Sequence, residues 1–72
     1  MLVASKSLLT GREVQIMRYI ADGNTNREIG YILGISEETA KTHVRTIFRK
    51  LDANGRANAV AIAIRNNCLS VG

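Results

Sequence analysis

The sequence predicts an all-α domain of four short helices, and three observations carry that expectation. Pro is absent from the 72 residues while Ala and Ile are frequent, a composition that favours helix. Two Thr-x-x-Glu capping boxes, Thr10 with Glu13 and Thr25 with Glu28, each stand just before an apolar pattern of helical period. Further on, Ala40, Val44, Ile47 and Leu51 recur at i, i+4, i+7 and i+11, which is one stripe of a helix of about four turns. The alternating run from Ala59 to Ile64 could be read as a strand, but no partner strand is found elsewhere and alanine is the best helix former.

Residues 1–8 show no strong period and are expected to form a flexible leader, with the domain itself spanning 9–72. The first helix is expected from about Gly11 to Asp22. Thr10 caps it, Leu9 and Val14 form a hydrophobic staple, and Gly23 follows as the C′ residue. Gly11 at its first position costs some helix stability through backbone entropy. Thr25 opens a second helix of about eight residues with Ile29, Ile32 and Leu33 expected inward, and Gly34 closes it. Ser36 then caps the long third helix, about Ser36 to Leu51, whose first turn carries Glu37 and Glu38 at the positive end of the helix dipole.

The polar turn Asp52-Ala53-Asn54-Gly55 leads to a fourth helix, about Gly55 to Asn66, with Asn54 as expected N-cap and Asn67 as C′ residue. At about 100° per residue, Val60, Ala63 and Ile64 gather on one side of it, facing the core. Asn58, Ala61, Ile62 and Arg65 gather on the other. A small helix that is apolar beyond its core stripe suggests a second buried surface, here a contact with another copy of the chain.

Charge gives the first functional indication. Net charge is +4, and residues 41–56 carry all of it: Lys41, Arg45, Arg49, Lys50 and Arg56 stand against Asp52 alone. Lys41, Arg45 and Arg49 follow at i, i+4 spacing on the outward side of the third helix, where like charges repel by about 0.2–0.5 kcal/mol per pair. Taken alone, such a stripe reads as a solvated face; the elements around this helix shift the reading to an anionic partner. The second and third helices, joined through Gly34-Ile35-Ser36, have the length and glycine placement of a helix-turn-helix, in which the second member enters a DNA major groove.

Other classes are poorly supported. One His and one Cys give no metal cluster or disulfide framework, and no Gly-rich phosphate cradle is present, so neither metal, cofactor nor enzymatic activity is expected. Ser36 and His43 lie on one helix with no carboxylate placed behind the His, which makes no nucleophile pair. The apolar run Ala57 to Ile64 is too short to cross a bilayer and no signal peptide is seen, so a cytoplasmic protein with no membrane partner is expected. Tyr19, Tyr31 and Phe48 are the only aromatics and make no stacking platform for RNA. Cys68 is expected to pack back on Ala63 as a small apolar residue.

The blocks Leu9-Thr10-Gly11-Arg12-Glu13, Ile20-Ala21-Asp22-Gly23, Thr25-Asn26-Arg27-Glu28-Ile29-Gly30, Leu33-Gly34-Ile35-Ser36, Thr39-Ala40-Lys41-Thr42-His43-Val44, Lys50-Leu51 and Arg56 together resemble the LuxR-type (FixJ/NarL-type) helix-turn-helix domain. Their spacing matches without a gap from Leu9 to Leu69. The resemblance implies a four-helix DNA-binding domain of bacterial transcription regulators, with the third helix in the major groove and the fourth used for dimerisation. By position, it implies base reading by Lys41, Thr42 and Arg45, and phosphate contact by Asn26, Arg27, Ser36, Thr39, His43 and Lys50. Arg49, the last cation of the outward stripe, joins the phosphate group, although His43 could equally be a ring wedged at the core edge. Arg and Lys donate to guanine O6 and N7, a Thr methyl meets the thymine methyl, and helix N-termini offer N–H groups to phosphate.

The chain departs from the family pattern at Gly30, where Ala is usual, at Ala40 and Ala53, where Val is usual, at Asn67-Cys68 in place of Gly-Leu, and at Gln15 in place of an acidic residue. Most of these remove apolar volume or helix propensity and predict reduced stability with the DNA face intact. The expected function is a sequence-specific regulator of transcription on double-stranded DNA, dimeric through Asn58, Ala61, Ile62 and Arg65, with RNA polymerase as a further candidate partner. The alternatives are a sigma-factor-like promoter-contacting domain and a protein-interaction module without DNA binding. Both a stand-alone regulator and the DNA-binding part of a longer receiver or ligand-binding protein accord with the sequence.

Overall fold

The computed structural model describes residues 9–66, which fold into four helices: α1 (Gly11–Ala21), α2 (Asn26–Leu33), α3 (Glu37–Leu51) and α4 (Arg56–Arg65). The leader expected at 1–8, the C′ residue expected at Asn67 and the packing expected of Cys68 lie outside the described residues. α2 packs mainly on α3, while α1 packs on both α3 and α4. One core results, built from Leu9, Ile16, Met17, Ile20, Ile29, Ala40, Val44, Ile47, Leu51, Ala59 and Ala63. Among the described residues no strand is present, and no helix is long and apolar enough to cross a membrane.

Both capping boxes close as the spacing requires. Thr10 Oγ1 accepts from Glu13 N at 3.1 Å while Glu13 Oε1 accepts from Thr10 N at 3.0 Å, and Thr25 and Glu28 repeat the exchange at 3.1 and 2.8 Å. Each box satisfies two donors that a helix start would otherwise leave to water. Ser36 Oγ accepts from Thr39 N at 3.0 Å and starts α3. Gly23 and Gly34 sit at φ +92 and +71, left-handed values that carry the chain out of α1 and α2 and that a Cβ would disfavour. α3 ends similarly on Asp52 at φ 55, one of the few residue types that tolerate this region.

The expected roll of two helices needs correction. On α2, Ile32 was expected inward, yet it is 46% exposed, while Ile29 and Gly30 are buried and Leu33 is partly buried. Ile29, Leu33 and Gly30 span an arc of about 100°, and Ile32 lies about 60° beyond its Ile29 edge. Gly30 sets this roll, because a Cβ there would stand 2.8 Å from Ile35 O: the turn backbone rests directly on the glycine and takes the space of a side chain.

On α4 Val60, Ala63 and Ile64 do meet the core as expected, but its buried centre is the pair Ala59 and Ala63, and Ile62 joins the core side as well. Val60 and Ile62 fall about 80° to either side of that alanine pair, and both are partly buried against the core, as is Ile64. Ile62 therefore does not belong to a free outer face, whereas Ala61 and Arg65 are exposed. The small alanine side chains let α4 approach the other helices closely, so its larger neighbours are drawn in on both flanks. Its N-cap also differs from expectation: it is Gly55, without a side-chain cap, while Asn58 Oδ1 reaches back to accept from Asn54 N at 3.0 Å.

Candidate nucleic-acid interface

α3 has two faces with no shared residue. Ala40, Val44, Ile47 and Leu51 are buried, while Glu38, Lys41, Thr42, Arg45 and Arg49 are exposed. Among the described residues the single ion pair is Lys50 with Glu13, so Lys41, Arg45 and Arg49 have no carboxylate partner. Three cations thus project from a little over two turns of helix without an ion-pair partner among the described residues. Lys41 lies in the first half of α3, the part of a recognition helix that meets base edges, and Arg45 stands one turn further along, just past the midpoint.

Two hydroxyl arrangements refine this surface. Thr42 Oγ1 donates to Glu38 O at 3.1 Å, which leaves the hydroxyl lone pairs and the methyl group for an outside partner. Ser36 Oγ accepts from Thr39 N and donates to Thr39 Oγ1 at 2.8 Å, so the Thr39 proton is the one left to point outward as a donor. Both residues are exposed at the positive end of the α3 dipole, where an anion is favoured. His43 is partly buried, on the border between the two faces of α3.

The N-terminal end of α2 supplies the second part of the surface. Arg27 is exposed and Asn26 partly buried there. Arg56, the first residue of α4, reaches across to this end. Its Nη1 donates to Asn24 O at 3.0 Å and its Nη2 donates to Asn26 Oδ1. No periodicity could have shown this link, since 30 residues separate Arg56 from Asn26; the only sequence signal was Arg56 standing among the family blocks.

Lys50, for which the resemblance implies a phosphate contact, also has a partner within the domain. Its Nζ lies 2.8 Å from Glu13 Oε1, and Glu13 is buried at 8% exposure, so the ammonium is held by the cap of α1. Burial would by itself raise the Glu13 pKa, but hydrogen bonds from Lys50 and from Thr10 N, together with the Lys50 charge, outweigh it and the net shift is downward. Of the four residues expected at a dimer surface, Ala61 and Arg65 are exposed while Asn58 and Ile62 are partly buried. Among the described residues no group of three His, Cys, Asp or Glu side chains could hold a metal ion.

Comparison with known proteins gives the chain's family. The family model for bacterial regulatory proteins of the luxR family matches residues 7–63. The chain is 42% identical over 64 residues to the transcriptional regulatory protein DegU of Brevibacillus brevis, covering 89% of this chain and 27% of that protein. It is 45% identical over 62 residues to the transcriptional regulatory protein LiaR of Bacillus subtilis, covering 86% and 29%. With the nitrate/nitrite response regulator protein NarP of Escherichia coli it shares 37% identity over 59 residues, 82% of this chain and 27% of that protein. The chain therefore spans less than a third of the length of these curated relatives. With its four helices, its cationic α3 and a match covering most of its length, the chain belongs to the luxR family of bacterial regulatory proteins and has that family's helix-turn-helix DNA-binding fold.

Proposed function

We propose that the domain reads a specific double-stranded site with α3 in the major groove. In this reading Lys41, Thr42 and Arg45 contact base edges, and Asn26, Arg27, Ser36, Thr39, His43 and Arg49 contact phosphates. The observation that carries it is the outward stripe of Lys41, Arg45 and Arg49, which has no carboxylate partner among the described residues on a helix whose opposite face is wholly core. Lys50 is left out because Glu13 holds it. The protein acts in the cytoplasm, performs no catalytic step and needs no cofactor, and RNA polymerase is the partner through which bound DNA would be read out. Two copies pair through the exposed side of α4 around Ala61 and Arg65, with Asn58 and Ile62 at its margins, so that two half-sites lie about one DNA turn apart.

The experiment is a binding titration on a duplex selected from a random-sequence library, run beside an unselected duplex. Arg45→Ala should cost about 1–3 kcal/mol on the selected site and relax preference at one base position, with a smaller loss on unselected DNA. Equal losses on both would overturn the assignment of Arg45 as a base reader.

A further inference from the structure

We propose that Arg56 is a positioning residue for DNA binding: it fixes the side-chain amide of Asn26 so that the NH2 group faces the DNA backbone. The proposal rests on the reading above in which the N-terminal end of α2 meets a phosphate.

A guanidinium has only donors. The atom of Asn26 that meets Arg56 Nη2 must therefore be the amide oxygen, and the orientation of the amide, which is otherwise ambiguous, is settled by chemistry. With its oxygen engaged, Asn26 has only the NH2 left to offer, and that group donates without accepting. It suits an anion and offers nothing to a cation. A free asparagine would turn either end outward, so Arg56 removes the wrong half of the population before DNA arrives.

The second Arg56 bond, from Nη1 to Asn24 O at 3.0 Å, ties the guanidinium to the turn just before α2 and stops it from following the amide. Arg56 is partly buried and engages two neutral acceptors, with no carboxylate partner among the described residues. Its charge adds to the positive dipole end of α2, which further favours an anion beside Asn26.

The test is fluorescence anisotropy of the full chain on a random-sequence duplex, since phosphate contacts act on every sequence, with thermal melting of each variant alongside. Asn26→Ala should weaken binding on the order of tenfold, the loss of one hydrogen bond to a charged group. Arg56→Met should weaken it by a smaller factor in the parent and by less than about twofold in the Asn26→Ala background, because there is no amide left to orient. Asn26→Asp separates fold from binding: its carboxylate can keep and strengthen the bond to Arg56, so melting should hold or rise while binding is lost. If Asn26→Ala binds as the parent does, the phosphate reading of Asn26 fails. If Asn26→Ala weakens binding but Arg56→Met costs the same factor in both backgrounds, Arg56 does not position Asn26. A salt dependence whose slope drops by a full ~0.9 in Arg56→Met makes Arg56 itself a phosphate contact and overturns the proposal.

Discussion

Glu13 joins three parts of the chain through one carboxylate. It closes the cap of α1 with Thr10, it binds Lys50 near the end of α3, and it does both while almost wholly withdrawn from water. A carboxyl held below its ordinary value of 4.5 stabilises the fold above that pH, and the contribution is lost as pH falls through the lowered value. Thermal melts taken from neutral to acidic pH should show this loss. Lys50→Met removes the hydrogen bond and the charge that oppose burial, so its Glu13 should take up a proton at higher pH and the acid-induced drop in Tm should begin earlier. An unchanged onset would mean that the pair does not govern acid sensitivity. Lys50→Met should act on melting more than on DNA affinity, the reverse of what the family resemblance implies.

At the scale of elements, Gly30 decides how α2 meets the turn. Alanine is usual here in the family pattern, and in a helix it is favoured over glycine by about 1 kcal/mol. A Cβ in this chain would meet backbone atoms at 2.8 and 3.2 Å, which cannot rotate away as a side chain could. Gly30→Ala should therefore destabilise by about 1–3 kcal/mol in spite of the propensity gain. A higher Tm in calorimetry would show that the turn yields without strain. The same site explains what was legible in the sequence. The caps of α1, α2 and α3 are patterns four residues long, and the α3 stripe is apolar on one side only, so both could be read directly. The roll of α2 depends on a backbone contact made by the absence of a side chain. α4 carries apolar residues on most sides, and periodicity cannot locate its buried centre when several centres fit; the choice falls to the alanine pair that allows the closest approach. Of the candidate site, α3 was legible because its polar and apolar positions separate cleanly, whereas the partners of Lys50 and Arg56 lie 30 or more residues away and only the tertiary fold shows them.

For the whole molecule, the revised roll of α4 changes how pairing should be tested. Ile62→Asp would place a charge beside the core and confuse unfolding with loss of a dimer. Ala61 is exposed, so Ala61→Glu should leave Tm within a degree or two while setting two like charges against each other across a two-fold contact. Its expected signature is loss of cooperative binding to a full palindrome with half-site affinity kept. Cooperativity equal to the parent's would remove α4 from the dimer surface. A second consequence concerns how such a domain diversifies. Because the buried stripe of Ala40, Val44, Ile47 and Leu51 shares no residue with the exposed Lys41, Thr42 and Arg45, exchanging these three should cost the fold almost nothing, and exchanging Ala40 or Ile47 should leave in place the reading chemistry proposed for them. Operator preference and thermostability can drift independently under selection, so one scaffold can serve many promoters without each new specificity having to be rescued by repacking.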